Sequence, residues 1–168
     1  MRKRKGNSIA ESGLWNAYEY KMERTMISDK AASIRVESPR ELASVFREFA
    51  DKEMSESLFV VSVGGRNNVL GIHRIYQGTA VGTSVSIGEI LRSALLMGAV
   101  GFALVHNHPS GDEVASDEDV NLTRDVELGA KLMDLIFLDH IVVGAGGSFT
   151  SIRSQKPDLF LRPADKSN

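Results

Sequence analysis

The sequence contains no cysteine among its 168 residues. Disulfide bonds, thiolate catalysis and cysteine-ligated zinc are therefore excluded, and any metal must be held by His, Asp, Glu or water. No apolar run approaches the roughly 20 residues that span a bilayer. The basic start, residues 1–5, is not followed by the apolar segment of a signal peptide. We therefore expect a cytoplasmic protein that makes no membrane contact.

The sequence also lacks a large excess of positive or negative charge. The chain has 20 Lys and Arg against 22 Asp and Glu, a net charge of −2 that gives no general attraction to nucleic acid or membrane. The basic residues 2–5 are most simply interpreted as a solvated tail, and a weak nucleic-acid contact is the alternative. The length fits one domain with an appended arm.

The pattern along the chain predicts three parts: a partly flexible N-terminal arm, a compact domain and a C-terminal tail, at residues 1–37, 38–155 and 156–168. In the arm, apolar residues recur at helical spacing, which predicts a short amphipathic helix. These residues are Leu14, Trp15, Tyr18 and Met22. Such a helix would dock on the core or on a second subunit, which would give a homodimer. The letters SIRVE at residues 33–37 predict a short strand.

The compact domain alternates between helix and strand signals. Ser38, Pro39 and Glu41 form a helix start, and an apolar face follows at Leu42, Val45, Phe46 and Phe49. Further helices are predicted from Ser86 to about Met97 and from Ser116, the latter with apolar positions at Val120, Leu128 and Leu132. Strands are predicted at residues 57–63, 69–78, 100–106 and 135–144, with an edge hairpin at 146–153. This order predicts an α/β sandwich in which helices flank a mixed, twisted sheet.

The segment HNHPSGDEVASDED, residues 106–119, carries the strongest chemical signal. His106 and His108 end an apolar strand, and residues i and i+2 of an extended chain point to one side, so both can contact one ion. Ser116 begins a helix, and Asp119 lies one turn into it. Two imidazoles and a carboxylate leave one tetrahedral position open for water, as in catalytic zinc sites. Helix capping also explains Ser116 and much of Asp119, so spacing leaves a metal site and a polar loop as alternatives.

The spacing of His106, His108, Ser116 and Asp119 resembles the JAMM motif of JAB/MPN-domain metallopeptidases. Together with LDHIVVG at residues 138–144, it resembles the RadC-like branch of that family over roughly residues 38–152. The resemblance implies a single JAB/MPN-type sandwich of the cytidine-deaminase-like class. It also implies that Zn²⁺ is bound by the two histidines and Asp119. Ser116 would orient a water molecule or stabilise the oxyanion formed on attack.

The family also uses a glutamate before the first core strand as general base. Glu56 is the best match and Glu53 the fallback, while an ordinary exposed charge is the alternative interpretation of Glu56. The resemblance thus implies a zinc-dependent hydrolase that activates a metal-bound water to cleave a peptide or isopeptide amide bond in a peptide or protein substrate. The alternative is a non-catalytic or DNA-associated RadC-like module that retains a zinc site. Asp139 and His140 would orient the site or form a buried polar pair.

Three features depart from the family pattern. Residues 1–37 do not resemble the helix-hairpin-helix region that RadC-like proteins often carry, which weakens the expectation of a DNA-repair role. Ala115 stands where relatives commonly have proline, and Glu89 stands where they often have an arginine, so contacts to substrate could differ. His73, on the second strand, is expected at the surface or on a pocket wall rather than among the ligands.

Overall fold

The computed structural model describes residues 34–50, 55–78, 85–108 and 110–160. The strands are β1 (Glu56–Val63), β2 (Val69–Gly78), β3 (Gly101–Asn107), β4 (Ile136–Val143) and β5 (Phe149–Ser151). The α-helices are α1 (Pro39–Ala50), α2 (Ile87–Leu96), α3 (Asp117–Leu132) and α4 (Ile152–Gln155), and two single-turn 3₁₀ helices cover Ala145–Gly147 and Pro157–Leu159. The four long predicted strands are present, with bounds that differ from the prediction by one residue or less. In the edge hairpin predicted at residues 146–153, only β5 pairs with β4, and α4 begins at Ile152.

The five strands form one sheet in the order β2-β1-β3-β4-β5. Strands β3 and β4 pair parallel, and the other neighbouring strands pair antiparallel. A parallel pair requires a crossover, and α3 supplies it, so β3 and β4 end at the same edge of the sheet. The predicted α/β sandwich, a mixed sheet flanked by helices, is confirmed.

Both faces of the sheet are buried, and the side chains of β1 alternate between the two faces. Phe59, Val61 and Val63 belong to the apolar cluster that contains α1. Leu58 and Val60 belong to the second cluster, which contains residues of α2 and α3. The odd and even positions of β3 divide in the same way, since Ala103 and Val105 join the first cluster, and Phe102 and Leu104 the second. This alternation matters for the site because it assigns His106 to the face covered by α3.

The predicted helix starts are observed. At α1, the backbone N–H of Glu41 donates to Ser38 Oγ over 3.3 Å, and the Glu41 carboxylate accepts from the backbone N–H of Glu37. At α2, Ser86 Oγ accepts from the N–H of Glu89 over 3.4 Å. The predicted apolar face of α1 is buried at Leu42, Val45 and Phe46. The side chain of Phe49 lies outside the described residues.

Two expectations from the sequence are wrong. The strand predicted at residues 33–37 is, over the described residues 34–37, a single bridge between Arg35 and Asn68, with backbone hydrogen bonds to Asn67 and to Val69 at the start of β2. In α3, Leu128 and Leu132 are 57% and 85% exposed. The buried positions are instead Asp119, Thr123, Val126, Glu127 and Ala130. The inner face of this helix is therefore mixed, with the apolar Val126 and Ala130 beside polar residues.

The packed region also extends beyond residue 155. Phe160 is 5% exposed, and its ring centroid lies 5.4 Å from that of Phe137. The amphipathic stripe predicted in the arm and the fallback Glu53 lie outside the described residues. In the described part of the chain, no helix is long and apolar enough to cross a membrane.

We predict that Leu104→Ala lowers the free energy of unfolding by about 2–5 kcal/mol. Leu104 lies in the middle of β3 and is fully buried, so the truncation leaves a cavity between the sheet and α3. Leu132→Ala is the matched control, because Leu132 is 85% exposed and should lose less than about 0.5 kcal/mol. Urea denaturation followed by circular dichroism measures both, and equal losses would contradict the packing described above.

Candidate metal centre

His106 and His108 lie at the carboxyl end of β3, at the edge of the sheet where β4 also ends. Leu58 of β1 is paired with His106, and both side chains point toward the α3 face. His106 is 2% exposed, and the side chain of His108 is 18% exposed. The first histidine is therefore held inside the domain, and the second faces partly toward solvent.

Asp119 completes a triangle of possible metal ligands with the two histidines. The Nε2 atoms of His106 and His108 are 3.0 Å apart. His106 Nε2 lies 3.2 Å from Asp119 Oδ1, and His108 Nε2 lies 3.4 Å from Asp119 Oδ2. Ligand atoms bound at about 2.0–2.1 Å to a tetrahedral ion are separated by roughly 3.3 Å. The triangle thus has the size of one face of a tetrahedral coordination site.

The Asp119 carboxylate is oriented by the N-terminal cap of α3. Its Oδ2 accepts from the backbone N–H of Ser116 over 2.8 Å and from Ser116 Oγ over 2.7 Å. Ser116 Oγ in turn accepts from the N–H of Asp119 over 3.1 Å, which completes the predicted capping box. The Ser116 hydroxyl group therefore donates a hydrogen bond to the Asp119 carboxylate and fixes the orientation of that carboxylate.

The Asp119 carboxyl is ionised at neutral pH. Burial raises its pKa, but His106, when its ring is protonated, and the two hydrogen bonds from Ser116 outweigh burial and hold the pKa well below its ordinary value. The contribution of Ser116 does not depend on the protonation of His106. An anionic ligand is thus available at the centre.

A chain of three hydrogen bonds determines which nitrogen of His106 carries a proton. Thr123 Oγ1 donates its single hydrogen to the carbonyl of Asp119 over 2.7 Å, so it must accept from His140 Nδ1, also at 2.7 Å. His140 Nε2 is then the acceptor for His106 Nδ1–H over 2.9 Å. His106 Nε2 is left with its lone pair directed at Asp119 and His108.

Burial keeps His140 neutral, as this chain requires. Its ring is fully buried, and burial lowers the pKa of His140 well below the ordinary value. A positive charge on His106 or His108, when either ring is protonated, would lower the pKa of His140 further, against the opposing charge of Asp119. The neutral His140 ring consequently has one N–H group, and this group donates a hydrogen bond to Thr123 Oγ1.

His108 has the same tautomer for a separate reason. Its Nδ1 lies 3.0 Å from the backbone carbonyl of Asp112, which can only accept, so Nδ1 carries a proton, and in the neutral ring Nε2 has the lone pair. Two imidazole lone pairs and a carboxylate thus converge within hydrogen-bonding distance. One cation among them would satisfy all three acceptors, and this donor set fits a divalent metal with nitrogen and oxygen ligands.

The structure also locates the other residues expected at the site. Glu56, at the start of β1, is on the same sheet face as His106, but no described contact joins it to the triangle. Asp139 accepts hydrogen bonds from Ser151 Oγ and from the backbone N–H groups of Arg153 and His140. Burial raises the pKa of Asp139, against these hydrogen bonds. Asp139 therefore organises the junction of β5 and α4, whereas its neighbour His140 contacts the centre.

The chain matches the RadC-like JAB domain over residues 36–157. This is well over half of the chain. The chain belongs to the RadC-like JAB-domain family. The match covers every described strand and each residue of the candidate metal centre.

Relatives of the domain carry a name that states no activity. A UPF0758 protein of Roseiflexus castenholzii is 30% identical over 140 residues, covering 83% of this chain and 59% of the relative. A UPF0758 protein of Trichodesmium erythraeum is 36% identical over 118 residues, covering 70% of this chain and 48% of the relative. The chain thus spans about half to three fifths of the length of these relatives.

Thr123 is the residue of the RadC-like centre that sequence reasoning missed. It occupies an ordinary interior position of α3, four residues after Asp119, and no motif marks it. The spacing itself was the available signal, because residues i and i+4 of a helix share a face. A threonine one turn after a predicted ligand is therefore worth testing as an orienting group.

We predict that His106→Ala and Asp119→Ala each abolish stoichiometric zinc binding, because each removes one of three ligand atoms that form the triangle. His73→Ala is the matched control, since His73 is exposed on β2 and should leave metal content unchanged. Equilibrium dialysis followed by atomic emission spectroscopy measures bound zinc. Full zinc content in either ligand variant would show that zinc binds elsewhere.

We also predict that Thr123→Val weakens zinc affinity by about 10- to 100-fold, because His140 and His106 lose the group that fixes their tautomers. Thr150→Val is the matched control at a threonine that is 9% exposed on β5. Competition with a chromogenic chelator gives the affinity, and long-range ¹⁵N–¹H NMR spectra report the protonated nitrogen of each ring. An unchanged His106 tautomer in Thr123→Val would contradict the assigned hydrogen-bond chain.

Proposed function

We propose that this RadC-like domain is a zinc-dependent hydrolase that cleaves a peptide or isopeptide amide bond in a peptide or protein substrate. The observation that carries the proposal is the convergence of three unprotonated ligand atoms at the spacing of a tetrahedral site. A structural zinc site closes with four protein ligands, whereas a catalytic one keeps a position open. Three ligands with one partly exposed side favour the catalytic kind.

His106, His108 and Asp119 would hold the ion, and the carboxylate would offset part of its charge. When bound, Zn²⁺ supplies Lewis acidity that polarises a carbonyl and acidifies water. The exposed fractions of His108 and Asp119, 18% and 12%, put the open side of the triangle toward solvent. A substrate amide could approach from that side without displacing a protein ligand.

Glu56 is the candidate general base. Leu58 is paired with His106, so Glu56 is the diagonal neighbour of His106 on the same face of the β1–β3 ladder. Diagonal neighbours lie roughly 7–8 Å apart, which is within reach of a long side chain. The Glu56 carboxylate would take a proton from water at the centre and pass it to the leaving amine. Glu56 is the first residue of β1 and is half-buried.

Ser116 would act mainly through Asp119. Its hydroxyl proton is already donated to Asp119 Oδ2, so in this arrangement the hydroxyl holds the carboxylate in place. Stabilising an oxyanion would require Ser116 to redirect that proton during the reaction. The cap would still be held by the backbone N–H of Ser116, which also donates to Asp119 Oδ2.

We predict that Glu56→Gln retains zinc but lowers amide hydrolysis by about 100-fold or more, because glutamine cannot accept and return a proton. Asp125→Asn, an exposed carboxylate-to-amide change in α3, should retain activity. The assay uses the zinc-loaded full chain with a mixture of synthetic peptides and Lys-linked isopeptides, and mass spectrometry quantifies the products.

Two outcomes would contradict the proposal in different ways. Undiminished hydrolysis by Glu56→Gln would assign the base to another residue. Stoichiometric zinc without hydrolysis of any probe would favour the alternative, a RadC-like module that keeps its metal without turnover. For the DNA-associated form of that module, we would then expect DNA binding that strengthens at low salt.

A further inference from the structure

A cavity of about 430 Å³ lies beside the candidate metal centre, at the edge of the sheet where β3 and β4 end. One wall comes from the last turn of α1, and the opposite wall comes from the loop that follows β4. Asn107, His108 and Gly111 form the side toward the centre. The volume falls within the range of small-molecule sites in proteins.

Arg47 gives this cavity a single positive charge. The described residues that line the cavity include two with ionisable side chains, Arg47 and His108. Of these two, His108 belongs to the candidate metal centre. Arg47 Nε is buried, and no hydrogen-bond partner for it exists in the described part of the chain. A buried N–H without a partner is costly, so an acceptor at this position would be stabilising.

The loop after β4 is shaped to admit the Arg47 guanidinium. Gly147 has a φ of +91°, which disfavours any residue with a side chain, and a Cβ there would collide with Arg47 Nη1. The loop is also held against the segment after His108, because Ala145 N–H donates to the carbonyl of Gly111 over 2.8 Å. The Arg47 guanidinium thus packs against the backbone of this loop, next to the cavity.

The other polar groups around the cavity already have partners. Asn107 accepts from the backbone N–H of Ser57 and donates to the carbonyl of Ser55. The carboxylate of Glu113, close to the loop, accepts from Ser148 Oγ over 2.9 Å and makes no ion pair with Arg47 among the described contacts. One unpaired cation in the lining matches a ligand group of one negative charge.

We propose that this cavity is a subsite for a carboxylate group of the amide substrate, with Arg47 as the specificity-determining residue. The inference rests on the proposed hydrolase function, because His108 is both a wall of the cavity and a ligand of the centre. A carboxylate matches the planar, paired donors of a guanidinium and carries the single charge that the lining calls for. A substrate anchored there presents a nearby amide to the centre.

The test measures binding, not turnover. The probes are N-acetyl-diglycine, its C-terminal amide, and N-acetyl-glutamic acid α-amide, whose one carboxylate is on the side chain. The zinc-loaded Glu56→Gln protein is titrated with each, so hydrolysis plays no part in the readout. We expect the acids to bind and the amide to bind about 10- to 100-fold more weakly. Whichever acid binds more tightly identifies a terminal or side-chain carboxylate as the source.

The variants assign the effect to Arg47. Arg47→Met should lower the affinity for the acids by about 10- to 100-fold, and Arg47→Lys should restore part of it because the charge remains without the fork. Arg40→Met is the matched control, since Arg40 is exposed on the same helix. Equal affinity for acid and amide, or acid binding unaffected by Arg47→Met, would overturn the subsite.

A second measurement keeps the proposal testable if Arg47→Met fails to fold. The Nε–H of Arg47 gives its own ¹H–¹⁵N resonance in the unmutated side chain, and the acid probes should shift it while the amide should not. No shift under saturating acid would overturn the subsite. If the acids bind through Arg47 but the wild-type protein hydrolyses no amide, the proposed function fails and the carboxylate subsite stands.

Discussion

At the candidate metal centre, the tautomer of His106 depends on one hydrogen atom, that of the Thr123 hydroxyl group. Because Thr123 gives that proton to the carbonyl of Asp119, it can only accept from His140, and His140 can then only accept from His106. The reverse chain would set the oxygens of Thr123 and Asp119 2.7 Å apart with no proton between them. One threonine on a helix thereby leaves a lone pair, not a proton, at the ligand atom of a histidine on the sheet.

The topology of the sheet makes this chain possible. Strands β3 and β4 are parallel neighbours, and Leu104 is paired with His140, so His140 is diagonal to His106 on the same face. The helix that covers this face is the crossover between the two strands, which brings Thr123 and Asp119 over the histidines. An antiparallel pairing of these strands would need no crossover helix there. The element that connects the strands is therefore the element that completes the centre.

The sequence predicted the local features well and the long-range ones poorly. Strand bounds, the capping boxes and the convergence of His106 and His108 follow from spacing within a few residues. The partners of His140 and the cavity at Arg47 depend on pairing between distant segments, which no local pattern encodes. In α3, hydrophobicity indicated the wrong face because the inner face carries Asp119 and Thr123, so polar residues occupy positions where a core helix would have leucines.

Capping uses one oxygen of the Asp119 carboxylate and leaves the other for a metal ion. Ser116 directs both of its donors to Asp119 Oδ2, which also lies 3.4 Å from His108 Nε2, while Oδ1 faces His106 Nε2. A cation at the triangle can therefore engage the carboxylate without breaking the cap that starts α3. The same helix start also fixes the carbonyl of Asp119 that accepts from Thr123. Loosening the cap would thus disturb Asp119 directly and His106 through Thr123 and His140. The start of α3 therefore positions two of the three candidate ligands.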